Sequence, residues 1–82
     1  MHELGLANGI FDIVRQYVPA SQAAAVRRVR VDLGARANVV PESLAFCFDA
    51  IVTGTLYSQA FLTLDPGGDD FRVREIELEE TP

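Results

Sequence analysis

The residues with the clearest potential for chemistry open the chain: Met1, His2 and Glu3. An α-amino group, a backbone amide and an imidazole fall within two residues. If Met1 coordinates through its amine while His2 supplies its own amide nitrogen and Nδ1, a five-membered and a six-membered chelate ring close on one ion. Such a nitrogen-rich, tetragonal donor set suits Ni(II) or Cu(II). An initiator methionine is normally trimmed only ahead of a small residue, so bulky His2 is expected to keep Met1 and its amine. Against this stands the bland alternative that a lone histidine at position 2 is a solvated side chain, which spacing alone favours. Nothing else in the sequence resembles a nucleophile with its base, a phosphate loop or a paired-carboxylate site, so no catalysis is expected. A single cysteine, Cys47, excludes an internal disulfide and a four-cysteine zinc site within one chain. It reads as a small buried hydrophobe.

The whole composition narrows the partners. Eighty-two residues make one domain, burying only about 60% of the surface its unfolded chain exposes. Hydrophobic residues are 49% of the chain, enough for a folded globule, and the net charge is −5. The seven basic residues form no patch that follows a phosphate backbone, so nucleic acid is not an expected partner. The early apolar residues are interrupted by Asn8, Gly9, Asp12 and Arg15 and carry no cationic leader, which argues against a signal peptide or membrane span and for the cytoplasm.

The elements that must position the first residues follow from periodicity. Leu4, Ala7, Ile10, Phe11, Val14 and Val18 recur at three- and four-residue steps, predicting an amphipathic helix that Pro19 ends. Ala20 to Ala25 reads as a turn or an extra helical turn. From Val26 the period becomes two: Val29, Val31 and Leu33 alternate with Arg28, Arg30 and Asp32, predicting a strand with one buried and one wet face. Pro41 suits the first position of a second helix with Glu42 in its first turn. Leu44, Phe48, Ile51 and Val52 form its apolar face, flanked by Phe46 and Cys47, and Gly54 is the expected C-terminal stop. Ala60 to Leu64 predicts a second strand, Asp65 to Asp70 a tight reversal, and about Phe71 to Glu79 a third strand. The buried residues of that strand change parity between Val73 and Ile76, which requires a bulge near Arg74-Glu75 to bring Ile76 and Leu78 to the core.

The expected fold class is therefore α+β, two helices packed on one face of a small mixed three-stranded sheet in the order α-β-α-β-β. The first and second strands are expected to be parallel, and the second and third to form an antiparallel hairpin.

Several segments together resemble a known family. His2-Glu3-Leu4 with Leu6-Ala7, Val40-Pro41-Glu42-Ser43-Leu44 with Phe46 and Phe48, Gly54-Thr55, and Phe71-Arg72-Val73-Arg74-Glu75-Ile76-Glu77-Leu78-Glu79 stand in the order and spacing of the HypA/HybF nickel metallochaperones of [NiFe]-hydrogenase maturation, some of which serve urease. The resemblance runs nearly end to end. It implies that Met1, His2 and Glu3 form a nickel site, with Glu3 adding its amide nitrogen as fourth donor or its carboxylate beside the ion; as a bare structural residue, Glu3 is a first-turn charge that suits the helix dipole. It implies as partners a HypB-like GTPase and a hydrogenase large-subunit precursor, and no enzymatic activity of its own. The chain departs from the family where relatives carry a zinc domain held by two cysteine pairs between the last two strands: here only the link from Asp65 to Asp70 stands, so no zinc site is expected. The carboxylate that some relatives place before the second helix is also unmatched, the loop reading Ala35-Arg36-Ala37-Asn38-Val39. A natural minimal member and an engineered fragment with the zinc domain removed both fit, as a monomer or a strand-swapped dimer. The competing class is a metal-free protein interaction module that binds a partner through its wet sheet face or a strand edge, with Arg28, Arg30, Arg72 and Arg74 as candidate markers of that surface and a solvated charged face as their commoner explanation.

Overall fold

The computed structural model describes residues 3–34 and 38–79. Five main elements follow one another: helix α1 (Glu3–Tyr17), strand β1 (Val26–Asp32), helix α2 (Pro41–Val52), strand β2 (Phe61–Asp65) and strand β3 (Arg72–Leu78), with a 3-10 turn at Ala20–Ala25. The core stripe of α1 is Leu6, Ala7, Ile10 and Val14, continued by Val18; Leu4, expected on it, is exposed. Pro19 follows the helix with φ −68°, the value its ring fixes, and an extended ψ. Helix α2 starts on Pro41, buries Leu44, Phe48 and Val52, and is followed by Gly54 at φ +83°. Ile51 and Cys47 are half-buried against the core, and Phe46 faces solvent.

The sheet order is β2-β1-β3. β1 and β2 are parallel, Val29 opposite Leu62 and Val31 opposite Leu64, as a helical crossover through α2 dictates. β3 runs antiparallel to β1, not to β2, so the hairpin expected between β2 and β3 does not form. The reason lies in the first strand. β1 buries Val26, Val29 and Val31 completely, and such a strand is best satisfied with a neighbour on each side. The link from β2 to β3 crosses the end of β1, fastened by Leu33 N–H donating to Asp65 O at 2.8 Å and Gly34 N–H to Gly67 O at 3.1 Å. Gly34 and Gly68 allow this crossing. Both have positive φ, and a Cβ on Gly34 would stand 2.8 Å from the backbone carbon of Asp70.

The bulge forms where parity demanded it. Arg30 lies opposite Glu75 and Val31 opposite Val73, leaving Arg74 as the extra residue; a second shift leaves Arg27 extra on β1. Val73 and Ile76 thereby both pack against the core, while Leu78 remains 37% exposed at its margin.

Alternation misplaced Asp32. Expected on the wet face, it is 2% exposed. The crossing link roofs that end of the sheet, with Gly68 packed on the Asp32 side chain. Arg72 Nε donates to Asp32 Oδ2 at 3.4 Å and an Arg74 guanidinium nitrogen to Oδ1 at 3.2 Å.

Candidate metal centre

Glu3, the first residue of α1, is half-buried. Its Oε2 accepts a hydrogen bond from the Val40 backbone N–H at 3.3 Å. Val40 is the residue in front of α2, has an extended backbone and no side chain able to cap, and its carbonyl accepts the first helical bond from Leu44 N–H at 3.0 Å. One carboxylate thus stands at the N-terminal ends of two helices, where the partial positive charges of both favour it. This contact is compatible both with the helix-dipole role of Glu3 and with a role beside a metal ion. Met1 and His2, the other two residues of the expected site, lie outside the described residues. So do Ala35, Arg36 and Ala37 of the loop that precedes Asn38.

Among the described residues no group of three or more His, Cys, Asp or Glu side chains is placed to hold a metal ion. Cys47 is half-buried with a free thiol. The arginines considered as an interaction surface do not form a bare basic patch. Arg28 pairs with Glu77 at 3.7 Å, Arg30 with Glu75 at 3.7 Å and Glu77 at 3.6 Å, and Arg74 reaches Asp65 at 3.8 Å as well as Asp32. The wet face of the sheet is a ladder of opposite charges. Sequence reading missed Tyr57, buried against the C-terminal half of α1 with its hydroxyl donating to Val18 O at 2.7 Å and its ring edge-on to Phe11. A lone aromatic in a polar stretch after a helix was the available signal.

Two helices and a β2-β1-β3 mixed sheet, with a carboxylate at the head of the first helix bonded to the start of the second, make a small α+β domain. Residues 1–68 match the family described as "Hydrogenase/urease nickel incorporation, metallochaperone, hypA", and the chain belongs to the HypA family. The chain is similar to hydrogenase maturation factor HypA of Chlorobium luteolum, 38% identical over 65 residues covering 79% of this chain and 56% of that protein. It is likewise similar to the factor of the same name from Streptomyces avermitilis, 41% identical over 66 residues covering 79% of this chain and 50% of that protein. The chain therefore spans about half the length of these relatives. The solution structure of the Ni metallochaperone HypA from Helicobacter pylori shares the fold, with a TM-score of 0.75 at 14% identity over 99% of this chain and 100% of that one. No helix among the described residues is long and apolar enough to cross a membrane.

Proposed function

We propose that this chain is the nickel-carrying domain of a HypA-type metallochaperone, binding Ni(II) as cargo through the Met1 amine, the His2 amide and imidazole, and Glu3, and releasing it during [NiFe]-hydrogenase maturation. The observation that carries the reading is the family match, which begins at Met1 and includes all three residues. The position of Glu3 supports it: the first residue of α1 is anchored to the start of α2, which fixes the helix end that Met1 and His2 adjoin in sequence. The receiving partners in this reading are a HypB-like GTPase and a hydrogenase large-subunit precursor, with a urease precursor as the alternative client. The protein is a carrier, not a catalyst. With Cys47 as its single cysteine, the reading gives the chain no zinc site.

Binding requires the imidazole, with a reference pKa of about 6.5, and the amine, at roughly 7.7–8.0, to lose their protons, and the metal to displace those of the amides. Calorimetric titration at neutral pH is expected to give one Ni(II) per chain with the absorption of a diamagnetic, near-planar nitrogen site, and affinity largely lost below about pH 6 as both groups hold their protons. His2→Ala and a residue added ahead of Met1 are each expected to abolish binding while circular dichroism stays unchanged. Undiminished binding by the extended chain would remove the amine from the ligand set. No nickel uptake by the unmodified chain would favour the metal-free interaction module.

A further inference from the structure

β3 is an edge strand, with β1 on one side and no strand on the other among the described residues. Along it runs a groove of about 380 Å³, bounded by Ile13, Tyr17 and Val18 from the helix side and by Val73, Ile76 and Leu78 from the strand, with Arg74 and Glu75 at its middle. Tyr17 is 76% exposed, so apolar surface stands uncovered where a further strand would lie. An unpaired edge is a template for whichever strand fits it.

The sequence of β3 specifies which strand fits. From Phe71 it reads Phe-Arg-Val-Arg and then Glu-Ile-Glu-Leu, so each arginine has a glutamate at the mirror position and each apolar residue an apolar one. Two copies laid antiparallel about a twofold axis between Arg74 and Glu75 set Arg72 opposite Glu77, Val73 opposite Ile76 and Arg74 opposite Glu75, each pair occurring twice. The faces agree as well. Val73 and Ile76 stand beside Val31 and Val29 on the core side, and Glu75 and Glu77 beside Arg30 and Arg28 on the wet side. In an unbroken strand Val73 and Ile76 would face opposite ways; the extra residue Arg74 puts them on one face. A register one residue off stacks Arg74 on Arg74 or Glu75 on Glu75, and two residues off sets a charge against Val73 or Ile76, so one alignment stands out.

We propose that the chain pairs with a second copy of itself through β3, making a continuous six-stranded sheet in which the apolar residues of each β3 fill the groove beneath Tyr17 of the other copy. The contact is isologous, and closure on the twofold axis pairs the two β3 edges with each other, leaving a β2 strand at each end of the sheet. One strand and its groove make a small interface, so the association is roughly micromolar or weaker. This pairing does not depend on nickel.

Sedimentation velocity of the full chain across a concentration series, with a chelator present to exclude metal bridging, tests it. The unmodified chain is expected to show a monomer–dimer equilibrium. Arg74→Glu alone gathers four carboxylates at the axis and Glu75→Arg alone four guanidinium groups, and each is expected to raise the dimer Kd about tenfold or more. An equal mixture of the two variants restores opposite charges and is expected to form a heterodimer of unmodified strength. Circular dichroism controls for folding, since Arg74 also pairs with Asp32, and rescue by mixing is a result that a folding defect does not produce. A chain monomeric up to about 1 mM, a dimer indifferent to both reversals as expected for exchange of whole strands, or folded variants that fail to rescue each other would overturn the proposal.

Discussion

Asp32 sits where water does not reach, and its charge is answered by Arg72 and Arg74, whose side chains are 65% and 47% exposed. Removing one partner of a buried pair leaves the other uncompensated, but here the arginines can turn to solvent, so the loss falls mainly on the aspartate's own hydrogen bonds. Asp32→Asn is accordingly expected to lower stability by about 1–3 kcal/mol, read as a lower urea midpoint at unchanged slope. Alternation along β1 correctly buried Val29, Val31 and Leu33. It failed at Asp32 because period-two reasoning knows only the two faces of a sheet, and the roof over this residue comes from a link more than thirty positions away. The site divides similarly. Glu3 could be placed at the head of a helix from sequence, whereas its bond to Val40 joins residues 37 apart and has no local signal.

At the scale of elements, both helices and β1 were legible because a repeated apolar period leaves little choice of state or face. Strand order was not. A short polar link between two strand-like segments suggests a hairpin, yet the link also reaches across one intervening strand, since neighbours lie only about 4.8 Å apart. Burial decides between the two arrangements: β2 and β3 contain exposed and half-buried residues, whereas β1 is the strand that needs cover on both sides. The segment after α2 carries a second lesson. Tyr57 ties it to the end of α1 through the bond to Val18 O, satisfying a carbonyl left over at the helix terminus. Tyr57→Phe keeps the edge-on contact with Phe11 and removes only that bond, so a loss of about 1–2 kcal/mol in thermal or urea unfolding is expected.

For the molecule as a whole, β1 is central in space but comes early in the chain, and everything that pairs with it arrives later. Its ladder to β3 is closed by such contacts as Arg27 with Glu79, 52 residues apart. A chain ending at Asp70 would expose one edge of β1 and uncover Val29 and Val31 beneath the missing Val73 and Ile76; it is expected to lose its near-ultraviolet signal and cooperative melting, although the family match extends only to residue 68. Topologies built on distant pairings fold slowly, because loop closure must precede its reward. On the ribosome, a helix and an unmatched apolar strand therefore emerge first, and both stay dependent on protection until β3, Arg72–Leu78, clears the exit tunnel.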